Sequence, residues 1–148
     1  MNKQNLLVSS CLLGENVKYD GTNNYIKEIE SLKENYNIFS FCPEVSGGLP
    51  TPRIPCEIIS LSPLKIINKI NEDKTINFLN GAKDTLEFCI ENNIKQCLLK
   101  ANSPSCSNDL IYDGTFSSTK IKGQGVTTQL LKNNNIYVYN ESEINKLL

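Results

Sequence analysis

The chain has no histidine, no tryptophan, a single methionine and no surplus of either charge, with 15 Lys and Arg against 16 Asp and Glu for a net charge of -1. Without histidine there is no imidazole-based triad, no zinc site that needs an imidazole, and no side chain that titrates near neutrality unperturbed. Without excess basic residues there is no electrostatic footprint for a long nucleic acid, although a single nucleotide remains compatible. The first apolar run, Leu6-Leu7-Val8, stops at a serine pair. That pattern is neither a signal peptide nor a membrane span, so a cytoplasmic protein with no membrane contact is expected. Chemistry must then come from thiolates, carboxylates, hydroxyls, lysines or a cofactor.

Six cysteines and a hydrophobic fraction of 39% are what is present in their place. A length of 148 residues fits one domain, 1–148, with one sizeable core. Under reducing conditions the cysteines favour metal or catalytic roles over disulfides.

Leu6–Val8 and Gln96–Leu99 read as buried strands, and Asn37–Phe41 and Ile136–Tyr139 as further strands. Between them, helical periodicity marks about 24–34, a long helix from Thr75, with Thr75 as its cap, and a helix from Gly125 to about Asn134. A short closing helix is expected from Asn140 to Leu148, and Glu57–Ser60 with Lys65–Asn68 read as a small peripheral hairpin. The expected fold is α/β and Rossmann-like, a mainly parallel sheet flanked by helices. Ligands of such sheets bind outside the carboxyl ends of the strands. Cys11, Cys42 and Cys106 all follow strand ends, in donor-rich loops that leave backbone N–H groups free. Position alone leaves them open to two readings, metal ligands or buried thiols. Cys89 and Cys97 occupy apolar positions of a helix and a strand and read as core, whereas Cys56 is either loop packing or a reserve ligand.

Three motifs carry a resemblance over nearly the whole chain. They are Ser9–Gly14 with Tyr19-Asp20-Gly21; Cys42–Val45 with Gly47–Arg53; and Lys100 with Ser103–Cys106 and Ile111–Gly114, followed by Gly123–Val126. On these the chain resembles the thiouracil desulfidase family. The resemblance implies a [4Fe–4S] cluster held by Cys11, Cys42 and Cys106 with one iron open, and non-redox removal of sulfur from a thiolated uracil base, nucleoside or nucleotide. Cluster-assembly machinery is implied as a partner. The chain departs from the family pattern at Val17, where many relatives have a cysteine, and at Lys18, where arginine is frequent. Cys56 and Ser107 stand where alanine and glycine are usual.

An open iron prefers sulfur to oxygen, so a thiocarbonyl can coordinate where a carbonyl competes poorly, and iron then acts as a Lewis acid. Glu44, next to Cys42, is the candidate general acid/base, and Ser103 the candidate proton relay or ring contact. Lys100 is a candidate for neutralising developing charge or a substrate phosphate. Gly47 and Gly48, and the helix start at Gly125, offer amides to an anion, and Asp20 is a possible site neighbour. Each also has a plain reading, as a loop acceptor, a turn residue or a solvated lysine. Rival functions are a cluster-bearing binding or sensor module without turnover, a zinc-stabilised structural protein, and an enzyme with a single cysteine nucleophile.

Overall fold

In the computed structural model, which describes residues 3–148, Leu6, Leu7 and Val8 are wholly enclosed at the centre of the sheet. Met1 and Asn2, the first residues of the start read above, lie outside the described residues. Strand β1 (Gln4–Ser9) pairs in parallel with β2 (Tyr36–Phe41) and β5 (Gln96–Leu99), and β5 pairs in parallel with β8 (Tyr137–Asn140). The sheet order is β2-β1-β5-β8.

Alternation along a strand sends neighbouring side chains to opposite faces, and here both faces are covered. Leu7, Cys97, Leu99 and Val138 pack with Cys89 of α3 (Thr75–Glu91) and Leu131 of α4 (Val126–Asn133). Leu6, Val8 and Leu98 pack on the other side with Leu12, with Ile29 and Leu32 of α1 (Ile29–Asn35), and with Ile144. This is the parallel sheet flanked by helices that the strand and helix order implies.

Some boundaries differ from the sequence reading, for local reasons. The first helix starts at Ile29 rather than near Asn24, because the Asn24 and Ile26 amides donate to the carbonyls of Cys11 and Leu12. Thr75 is not the cap of α3: its amide donates to Asp73 Oδ1 at 2.8 Å while its hydroxyl accepts from the Ile66 amide at 2.9 Å. The closing helix is a 3-10 turn, Glu141–Lys146, held by a reciprocal capping box between Asn140 and Glu143.

The hairpin of β3 (Cys56–Leu61) and β4 (Leu64–Asn68) lies outside the sheet, as expected, but has its own core. Ile58 and Ile66 pack with Phe78, Leu49 and Ile111. A second hairpin, β6 (Leu110–Tyr112) with β7 (Lys120–Lys122), is absent from the sequence reading. Its strands are three residues long and β7 is exposed throughout, so no apolar alternation announces it.

Candidate active site

Because β2, β1 and β5 are consecutive in the sheet, the loops leaving their carboxyl ends meet. Ser9 Oγ accepts the Lys100 amide at 3.0 Å, tying the end of β1 to that of β5. These loops surround a cavity of about 490 Å³, and Cys11, Cys42, Cys106, Glu44, Ser103 and Lys100 all line it.

Cys11 lies in the 3-10 turn Ser10–Leu13, which follows β1 directly, and Cys42 caps the short helix α2 (Pro43–Ser46). Cys106 sits deeper, at 6% exposure. Its loop is pinned by α4: the Val126 amide donates to Pro104 and the Thr127 and Thr128 amides to Ser105, while the Thr128 hydroxyl donates to the Cys106 carbonyl at 2.7 Å. A Cβ on Gly125 would run into the Ser105 backbone. The amides at the start of α4, read above as available to an anion, therefore hold the cysteine loop instead.

Burial pushes all three thiols above their ordinary value of 9.0. Opposing it, each sulfur has at least one polar neighbour. Asn24 donates to Cys11, the Val45 and Glu44 amides reach Cys42, and Ser105 Oγ lies 3.1 Å from Cys106 Sγ. Cys106 feels the charges of both Cys42 and Cys11, so the three are electrostatic neighbours. No three Cys, Asp or Glu side chains among the described residues converge closely enough to hold a single metal ion. Three soft thiolates around a wider space, each with a hydrogen-bond donor, fit a polynuclear iron–sulfur group.

Beside the thiols, Ser103 Oγ accepts the amides of Ser105 at 3.0 Å and Cys106 at 3.2 Å. Its own proton is thereby directed to Glu44 Oε2, at 3.1 Å. The other carboxylate oxygen, Oε1, receives Arg53 Nε at 3.1 Å in an enclosed ion pair. Lys100 lines the cavity too, but its ammonium is 2.6 Å from Glu141 Oε2. Glu141 also accepts the Ala101 amide at 2.7 Å.

The remaining candidates stand apart from the cavity lining. Gly47 packs against α3: a Cβ there would strike the Asn77 carbonyl, and Asn77 Nδ2 donates to the Gly47 carbonyl at 2.8 Å. Gly48, at φ +94°, ends the same turn. Asp20 is exposed and accepts the Thr22 amide at 3.0 Å and hydroxyl at 2.5 Å, which hold its carboxyl below the ordinary range.

Cys89 and Cys97 are fully buried in the core, with sulfurs 3.8 Å apart. Cys56 is on the cavity wall, where burial lifts its thiol to about 11. The supposedly peripheral hairpin thus contributes to the site, as does the unforeseen one, through Tyr112 and Phe116. Arg53, Asn24 and Glu141 were not singled out by sequence reasoning. Arg53 alone had a signal, its place at the end of the Gly47–Arg53 motif. No helix among the described residues is long and apolar enough to cross a membrane.

Comparison with known proteins agrees with this architecture. A Bacillus subtilis (strain 168) protein, YbbK, described as uncharacterized, is 41% identical over 150 residues, which cover 97% of this chain and 99% of its own. The solved structure of TudS, a [4Fe-4S]-dependent thiouracil desulfidase, superposes with a TM-score of 0.92 at 38% identity, covering 98% of this chain and 95% of that one. Residues 6–143 match the family described as 2-thiouracil desulfurase. With fold, motifs and nearly the full length in agreement, the chain belongs to the 2-thiouracil desulfurase family.

Proposed function

We propose that this protein is a [4Fe–4S]-dependent enzyme that removes sulfur from a thiolated uracil by hydrolysis, giving uracil and hydrosulfide, with Cys11, Cys42 and Cys106 as the cluster ligands. The observation that carries the reading is the opening of three donor-supported thiols and the Ser103–Glu44 pair onto one cavity. Bound through three thiolates, the cluster would supply one iron free to act as a soft Lewis acid toward the thiocarbonyl sulfur.

The chain's own residues then manage water and protons. Glu44 accepts a proton from the water that adds to the ring carbon bearing sulfur. Glu44 then returns that proton to the ring nitrogen or the departing sulfur as the adduct collapses, while the Ser103 hydroxyl, whose oxygen already accepts two amides, orients its carboxyl through Oε2. One water is consumed, the carbon–sulfur bond is replaced by a carbon–oxygen bond, and no electrons are exchanged with an external donor.

The Lys100 ammonium favours the Cys11 thiolate, and the Glu141 carboxylate paired with it works against that effect. Delivery of the cluster implies contact with assembly machinery, and the substrate is a small base, nucleoside or nucleotide. A zinc-stabilised protein is disfavoured by the lack, among the described residues, of three donors near enough for one ion.

The test is to incubate anaerobically reconstituted protein with 2-thiouracil, 4-thiouracil and a thiouridine nucleotide while following sulfide and uracil. Stoichiometric release from at least one of them is expected. No release across the panel from protein with a full cluster overturns the proposed activity.

A further inference from the structure

Arg53 is a charged side chain enclosed beside the cavity and has no part in the chemistry described so far. Its side chain is 7% exposed, against 17% for Glu44. Every arm of the guanidinium is engaged. Nε donates to Glu44 Oε1 at 3.1 Å, Nη2 to the Val17 carbonyl at 3.1 Å, and Nη1 to the Pro50 carbonyl at 3.3 Å and to Thr51 Oγ1 at 3.2 Å. The Arg53 amide donates to the Tyr19 carbonyl at 2.7 Å. One side chain thus joins the loop that follows Cys11, the short helix that follows Cys42, and its own Pro-rich loop.

A glutamate has three rotatable bonds, and a carboxylate left to itself would sample several orientations in a cavity of this size. Here each carboxylate oxygen has its own donor, Arg53 on Oε1 and Ser103 on Oε2, so the plane of the group is set from both sides. The plane of the guanidinium is set in turn by two carbonyls and a hydroxyl that do not touch Glu44. A lysine, a point charge on a flexible stem, can supply the charge but not this fork.

We propose that Arg53 is a positioning residue for catalysis: anchored by Val17, Pro50 and Thr51, it holds the Glu44 carboxylate so that Oε2 faces Ser103. The proposal rests on the reading of Glu44 as the acid/base group.

The experiment compares wild type, Arg53→Met, Arg53→Lys, Glu44→Gln and the Glu44→Gln/Arg53→Met double variant, each reconstituted anaerobically. Arg53→Met is expected to keep its iron and acid-labile sulfide, to leave KM near the wild-type value and to lower kcat about 100-fold, the cost of a misplaced reacting group. Arg53→Lys should restore only part of that loss. In the Glu44→Gln background the second substitution should have little further effect, because its action runs through a carboxylate that is no longer there.

An equal loss in both backgrounds, or full activity of Arg53→Met, overturns the proposal. Should Arg53→Met fail to fold, Arg53→Lys alone carries the test, with retained iron and a lowered kcat at unchanged KM as the supporting result and unchanged kcat as the opposing one. A readout that needs no turnover is the crystal structure of the cluster-free Arg53 variant. Glu44 turned away from Ser103 supports the positioning role, and an unmoved carboxylate overturns it. If wild type releases sulfide from no thiouracil, the functional reading falls, while that structure still decides the role of Arg53.

Discussion

Replacing Glu44 by glutamine tests the site at one atom, because the side chain keeps its size and loses only a charge and an acceptor. Glu44 offers Oε1 to Arg53 and Oε2 to Ser103, whereas an amide has one acceptor and one donor. The amide NH2 must face either Arg53 Nε or the Ser103 hydroxyl, whose oxygen already accepts two amides, so one donor meets another in both orientations. The amide also cannot take up a proton from water. Turnover should fall by about 10²- to 10⁴-fold, the range for removal of a general acid or base.

Stability should fall as well. Breaking a fully buried pair costs roughly 3–5 kcal/mol. Arg53 keeps its contacts to Val17, Pro50 and Thr51, and Glu44 is partly open to the cavity, so about 2 kcal/mol is expected. At about 3 °C per kcal/mol for a chain of this length, Tm should drop by about 6 °C. Sulfide release, iron content and anaerobic thermal unfolding of one preparation give all three quantities. Turnover near the wild-type rate would remove Glu44 from the mechanism, and loss of iron would recast it as a structural support of the cluster loop.

Further outcomes follow from the same geometry. The Cys11, Cys42 and Cys106 thiols are raised above 9.0 by burial and must give up their protons to bind iron, so cluster loading should improve as pH rises from 6.5 to 8.5; a flat or falling yield contradicts thiolate ligation. In the cluster-free protein the sign is opposite. The contribution of those raised values is complete below 9.0 and is lost as pH climbs through them, so urea stability should decline only above about pH 9. Cys56, lifted to about 11, has about 100-fold less thiolate than an ordinary cysteine but a more nucleophilic one; peptide mapping should find it alkylated about tenfold more slowly. Gly47→Ala drives a Cβ into the Asn77 carbonyl and should cost about 1–3 kcal/mol by calorimetry, with an unchanged Tm refuting the tight α2–α3 approach.

What was legible in the sequence follows from how each signal is encoded. Leu6–Val8 and Cys97–Leu99 are buried on both faces, so they appear as unbroken apolar runs, and the cysteines after them could be assigned to one sheet edge before any coordinates. Glu44 and Ser103 stood beside those cysteines and were found with them. Arg53 and Glu141 reach their partners across loops, 9 residues to Glu44 and 41 to Lys100, and a single charge carries no period. Gly47 and Gly125 read as donors for a ligand because a glycine in sequence cannot reveal a neighbour's backbone. In the fold that neighbour is α3 for one and the cysteine loop for the other.

The central claim, that Cys11, Cys42 and Cys106 hold one iron–sulfur cluster, is tested most directly by metal and acid-labile sulfide analysis of anaerobically reconstituted wild type and of the single alanine variants at Cys11, Cys42, Cys106 and Cys56. The account predicts iron and sulfide in equal amounts in wild type and in Cys56→Ala, and loss of both in each of the other three. Zinc without sulfide, or a full cluster surviving loss of Cys11, Cys42 or Cys106, would contradict it.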